Sequence, residues 1–291
     1  MYKLKIIIVL VLFLEFFLRF YFGFCDTILM QKSVKYEYIA KPNQDRFRFR
    51  NAINYNSLSM RSDEINGDAV LILGFGDSVL NGGVLTSNED LATTLLSKSL
   101  TKKMNKPVQF LNISAGSWGP DNCFAYLLEK GDFNAKSIYL FVSSHDAYDT
   151  MNFEEIIDKS VSFPSRQYKI AIYELLDRYL LPRIITYEKE LGINKKRGTE
   201  HFNIGFQSFV DYSKKYNIPL TIYLHAENVE LENNSYNSQG QEIIDFAKLN
   251  KIPIILELEN GLNKTNFRDQ IHLNESGQEL MAKLVYENII K

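Results

Sequence analysis

The chain has 291 residues, with 45% apolar and 23% charged side chains and a formal net charge of −2. Those values suit a folded globular protein of one large domain or two small ones, and they exclude the basic excess of a nucleic-acid binder. The two cysteines, Cys25 and Cys123, make no CxxC pattern, so no metal and no organic cofactor is expected, and a disulfide is possible but not indicated.

The first predicted element is apolar. Ile6 to Phe24 reads IIIVLVLFLEFFLRFYFGF and follows Lys3 and Lys5. That is long enough for a bilayer core, which takes roughly 17–25 residues. Glu15 and Arg19 interrupt it, but one helical turn apart they can pair. Residues 1–25 are therefore expected to be a transmembrane helix that anchors the chain, in contact with lipid through residues 6–24. A signal sequence is the alternative, although FGFCD lacks the small residues of a cleavage site. The expected location is a single-pass membrane protein with its main domain extracytoplasmic. Lys32, Lys35 and Lys41 follow the segment, so charge alone does not set its orientation.

Residues 26–67 alternate aromatic and polar side chains around KPN and predict short strands or a hairpin, a connector packing on the main domain. From residue 68 to 291 the pattern is regular. AVLILGFG (69–76) is a strand apolar on both faces. NEDLATTLLSKSLTKKM (88–104) has the acidic start and basic end of a helix. PVQFLNIS (107–114) is a second strand, and PDNCFAYLLEKG (120–131) a helix opened by Pro and closed by Gly. SIYLFVSS (137–144) is a third strand. Residues 150–200 break the rhythm and read as an insertion with a helix around 166–180. Helices over 201–217, 238–250 and 274–290 then alternate with strands over 218–227 and 252–260. Alternation of this kind predicts a flavodoxin-like three-layer α/β/α domain with a five-stranded parallel sheet.

In such sheets the functional groups sit at the carboxyl ends of the strands. Each candidate passes that test. Ser78 follows the first strand and Gly116 the second. His145 and Asp146 follow the third, His225 ends the fourth, and Asp269 and His272 lie beyond the fifth. A serine hydroxyl needs a base within hydrogen-bond reach to act as a nucleophile. Imidazole serves because it titrates near neutrality, and a carboxylate on its other nitrogen fixes the tautomer. Asp269-x-x-His272 puts acid and base on one short segment. Each also has a plainer reading: Ser78 as a turn residue, Asp269 as a helix cap, Gly116 as a steric necessity. Trp118, Asp146 and His225 are possible substrate contacts, with a core role open for Trp118 and a structural one for His225.

Gly76-Asp77-Ser78, Gly116 and Asp269-x-x-His272, in this order, resemble the blocks of the SGNH (GDSL-type) hydrolase superfamily over about residues 69–291. The resemblance implies Ser78 as nucleophile, His272 as base and Asp269 as its partner. It implies an oxyanion hole from the N–H groups of Ser78 and Gly116, with Gly119 competing for the second place. The family's third block carries Gly-x-Asn-Asp; here it reads Ser143-Ser144-His145-Asp146, and His145 stands where an Asn donor is expected. A ring N–H can replace that donor. The implied function is a serine esterase acting through an acyl-enzyme on ester groups, O-acetyl foremost, of a cell-envelope polysaccharide or other carbohydrate. The alternatives are an O-acyltransferase on the same substrates, a non-catalytic carbohydrate-binding subunit, and a lipid-directed esterase with its acyl site in the 150–200 insertion.

Overall fold

The computed structural model describes residues 2–184 and 201–291. In chain order the elements begin with α1 (Tyr2–Phe22) and the strands β1 (Met30–Ser33), β2 (Glu37–Ala40), β3 (Gln44–Arg48) and β4 (Asn51–Tyr55). Then come β5 (Val70–Gly76), α2 (Ser78–Asn81), α3 (Ala92–Met104), β6 (Val108–Ser114), α4 (Pro120–Lys130) and β7 (Ser137–Ser143). After α5 (Ala171–Leu175) and α6 (Leu181–Ile184) the order is α7 (Ile204–Tyr216), β8 (Leu220–His225), α8 (Asn228–Asn233), α9 (Ser238–Asn250), β9 (Ile254–Leu256) and α10 (Glu275–Ile290).

Five strands pair in parallel in the order β6-β5-β7-β8-β9. Numbered along the sheet's own path this is 2-1-3-4-5, the flavodoxin-like order, and the expected three-layer sandwich forms around it. Its strands are mostly apolar because helices cover both faces. Leu73, Phe75, Ile113 and Leu140 belong to one core, under α4 and α7. Ile72, Phe110, Tyr139 and Phe141 belong to the other, under α3 and α10. The order reverses between β5 and β7, which opens a crevice at their carboxyl ends. The fifth strand, expected over 252–260, is shorter. It stops at Leu256 and turns into a 3₁₀ turn, Glu257–Glu259, because Glu257 is drawn inward to a buried partner described below.

Residues 26–67 form two hairpins, β1-β2 and β3-β4. Tyr38, Ile39, Ile53 and Tyr55 are buried and share the core of Leu73 and Phe75. Tyr38 donates its hydroxyl to the Gly116 carbonyl (2.8 Å), which ties the first hairpin to the loop after β6. The second hairpin is held by Arg48. Its guanidinium donates to both carboxylate oxygens of Glu174 (2.8 and 3.2 Å) and to Tyr179 Oη (2.8 Å), and it lies over the rings of Phe24 and Phe49. The helix expected around 166–180 starts at Ala171, and residues 185–200 lie outside the described residues.

The N-terminal segment corrects an expectation. It is helical, but among the described residues no helix is long and apolar enough to cross a membrane. Lys3, Lys5, Glu15 and Arg19 all fall within α1. Glu15 and Arg19 pair as expected, at 2.7 Å. Glu15 also accepts the N–H groups of Ala171 (2.8 Å) and Ile172 (2.9 Å). It thus satisfies the open donors at the start of α5, and Leu18 and Phe24 pack with Ala171 beside it. The carboxyl-terminal half of α1 is docked on the protein. Cys25 and Cys123 are both free thiols.

Candidate active site

Ser78 is the first residue of α2, directly after β5. Asp77 caps the turn, accepting the Val79 N–H (2.8 Å), and α2 ends at once because Gly82 takes a left-handed φ of 72°. A Cβ there would meet Leu91 at 2.7 Å. His272 and Asp269 come from the loop between β9 and α10. Asp269 organises that loop, its Oδ1 accepting the N–H groups of Ile271 (3.0 Å) and His272 (2.8 Å). The helix cap of α10 is a different residue, Asn274, which accepts from Gly277. Asp269 is therefore not needed as the cap.

These side chains meet across 194 positions. His272 Nε2 lies 3.0 Å from Ser78 Oγ. His272 Nδ1 lies 3.0 and 2.9 Å from the two oxygens of Asp269. Burial pushes the Asp269 carboxyl up, but the two backbone N–H groups and the His272 ring outweigh it and hold it below its usual range. A charged Asp269 fixes Nδ1 as the donor, which leaves Nε2 free to accept the serine proton.

Ser78, Gly116, Asp269 and His272 line a cavity of about 550 Å³. The Gly116 N–H has no acceptor among the described residues. Gly119 does not compete for this place. Its N–H is given to Asn122 Oδ1 (2.9 Å), and a Cβ on it would strike the Asp149 carbonyl at 2.2 Å. Both are consequences of its place against the start of α4.

Four expected residues sit elsewhere. His145 does not line the cavity. Its Nδ1 lies 3.0 Å from Glu227 Oε1, at the start of α8, and its Nε2 is 3.7 Å from Asp146 Oδ1. The Glu227 carboxylate has taken the ring that was expected to face an oxyanion. Trp118, Asp146 and His225 are each 1% exposed and cannot be substrate contacts in this structure. Trp118 donates its indole N–H to the Tyr38 carbonyl (2.9 Å) and packs edge-on against Tyr36 and tilted against Tyr126. Asp146 accepts the Ser143 N–H (2.7 Å). Burial, aided by Asp77 and Asp149 and opposed by His145, pushes its carboxyl up to about 8.

Asp77, His145 and Asp146 bring donor atoms within 4.8 Å of one another, which could hold a metal ion. Each has one atom engaged, by the Val79 N–H, Glu227 and the Ser143 N–H respectively, while Asp146 Oδ1 is buried without a hydrogen-bond partner among the described residues.

His225 has a different place. One ring nitrogen contacts Glu257 Oε2 and the other lies 2.7 Å from the Ile271 carbonyl. The Ile271 carbonyl can only accept, so the nitrogen facing it donates, and the carboxyl of Glu257 on the other nitrogen favours the charged form of the ring. Burial would lower its pKa, but the Glu257 carboxylate and the Ile271 carbonyl raise it above the ordinary value. Ile271 stands between Asp269 and His272. Glu257 was missed in the sequence, although a charged residue ending an apolar strand, as in IILEL, is a usable signal.

A second set of missed residues holds the far side of the nucleophile. Arg61 is fully buried and donates to the carbonyls of Asn81, Gly83 and Thr86. Burial lowers it to about 10. Arg268 donates to the Gly82 carbonyl (2.9 Å) and Thr86 Oγ1 (3.0 Å). Two guanidiniums thus clamp the loop that follows Ser78.

No family model matches the chain and no curated protein matches it. Solved structures similar to it include an acetyl-xylooligosaccharide esterase from Geobacillus stearothermophilus (12% identity, TM-score 0.46, 77% of this chain and 95% of that one). Another is a two-domain esterase active on acetylated mannans (14%, 0.47, 77% of this chain and 50% of that one). A third is a lipase/acylhydrolase from Enterococcus faecalis (14%, 0.42, 76% and 95%). All three TM-scores lie below 0.5.

Proposed function

We propose that this chain is a serine ester hydrolase that works through an acyl-enzyme. The observation that carries the reading is the continuous line from Asp269 through His272 to Ser78 Oγ, at 2.9 and 3.0 Å, opening into a cavity. Ser78 Oγ attacks the ester carbonyl as His272 Nε2 takes its proton. The carbonyl oxygen becomes an oxyanion, which rests on the N–H groups of Ser78 and Gly116. His272 then gives the proton to the leaving alcohol, the C–O bond breaks, and the acyl group remains on Ser78. Water, deprotonated by His272, attacks that acyl group; the bond to Ser78 Oγ breaks as His272 returns the proton to that oxygen, and the acid leaves. Asp269 stays charged throughout and steadies the imidazolium.

The resemblance of the blocks implies an acylated carbohydrate as substrate. An acyltransferase would differ only at the second step, where a sugar hydroxyl takes the place of water. Ser78→Ala in the full chain tests the reading. Ester hydrolysis is expected to fall by at least about 10³-fold, with unchanged folding by circular dichroism. Unchanged hydrolysis would show that Ser78 is not the nucleophile and would overturn this reading.

A further inference from the structure

The cavity beside Ser78 is far larger than an acetyl group needs. At about 550 Å³ it has the volume of a site for a drug-sized ligand. Its apolar wall comes from three directions: Ile28, Met30 and Phe49 from the hairpin segment, Leu85 from the loop after α2, and Val161 and Tyr179 from the segment before residue 184. Most of these stand outside the βα alternation that carries the triad. The cover over the site is thus an addition whose apolar side chains are interleaved with the guanidiniums of Arg48, Arg178 and Arg183.

The polar side chains in the wall are largely committed to the protein itself. Arg48 and Arg178 both bind Glu174. Asn81 bonds Ser114 and accepts the Tyr55 hydroxyl. Asp269 serves His272. A sugar ring held in such a place would leave its hydroxyls short of partners, and each buried unpaired polar group is costly. An alkyl chain needs no partners. Phe49 and Tyr179 also pack on Phe24, at the base of α1, so the apolar wall continues toward the long run of exposed apolar side chains from Ile6 to Phe17.

We infer that the chamber is an acyl-chain site, and that the acyl group carried by Ser78 is a medium-length alkyl chain rather than acetyl. The inference rests on the esterase reading above.

The experiment is a chain-length series of p-nitrophenyl esters, acetate to dodecanoate, with the full chain, its Ser78→Ala variant as background, and an O-acetylated oligosaccharide in parallel. kcat/KM is expected to rise about threefold to fourfold per added methylene and to peak between about six and ten carbons. Val161→Trp, which fills the chamber, is expected to lower the octanoate-to-acetate ratio at least about tenfold. Should that variant not fold, the rate of Ser78 labelling by an octyl against a methyl phosphonate reads the same preference in the unaltered chain. A profile that falls from acetate onward, or an acetylated sugar outpacing every alkyl ester, overturns the acyl-chain site and leaves the esterase standing. Absence of Ser78-dependent hydrolysis on every ester overturns both.

Discussion

His225 and Glu257 form a pair with a structural place; in the sequence His225 was open between a substrate contact and a structural role, and its partner Glu257 was missed. Read along the chain, His225 is a strand-end histidine facing a site. In three dimensions it is buried, ion-paired with Glu257, and holds the carbonyl of Ile271 between the two loop members of the triad. It is a positioning residue. Removing one partner of a buried pair typically costs about 3–5 kcal/mol, so His225→Gln should unfold at correspondingly lower denaturant. Its kcat should fall while KM stays near wild type, since the cavity wall is untouched. The folded-state pKa of His225 is raised, so its contribution to stability is complete below the unfolded value of about 6.5 and is lost as pH rises through the higher folded value. Denaturant titrations across that range should show a downward slope that His225→Gln lacks. Asp269 behaves in the opposite sense. Its carboxyl is held low, so its contribution is present above the unfolded value of about 3.9 and lost as pH falls through the lower folded one. Asp269→Asn, which presents the wrong partner to Nδ1, should lower kcat by about 10⁴-fold with folding intact. Ser78, Asp269 and His272, whose side chains the structure brings together, were legible because each had to follow a strand. Trp118 was not, because an aromatic beside a glycine looks the same in sequence whether it lines a pocket or, as here, gives its N–H to Tyr38.

Among the elements, the βα units were readable from hydrophobic period alone, and their boundaries moved by only a few residues. What escaped was attachment. The hairpin of β3 and β4 reaches the segment before residue 184 through Arg48 and Glu174, whose side chains are 1% and 0% exposed. Ion pairs between distant segments leave no periodic trace in a sequence. Arg48→Ala leaves Glu174, among the described residues, to the Arg178 guanidinium and the Cys25 N–H and should cost up to about 3 kcal/mol; the urea midpoint of the variant against that of the wild type decides this. The same blindness explains the N-terminal expectation. A nineteen-residue stretch with only two charges suggests a span until Glu15 is seen to be the acceptor for the first turn of α5.

The whole molecule is a 2-1-3-4-5 sheet whose reversal point puts the ends of β5 and β7 side by side, and the rest of the chain builds a chamber over that point. Strand alternation foretold the sheet and the edge where chemistry belongs, since only parallel strands with crossover helices satisfy such a pattern. It did not foretell the chamber, which depends on how the hairpins and the 150–184 segment pack and carries no local signature. The central claim is that Ser78 is a nucleophile activated by His272. A fluorophosphonate reacts at the hydroxyl of such a serine, forming a P–O bond and expelling fluoride, so the direct measurement is mass spectrometry of peptides from the labelled full chain. The account predicts a single adduct, on Ser78, that disappears in His272→Ala; labelling that spares Ser78, or that proceeds at the same rate without His272, would contradict it.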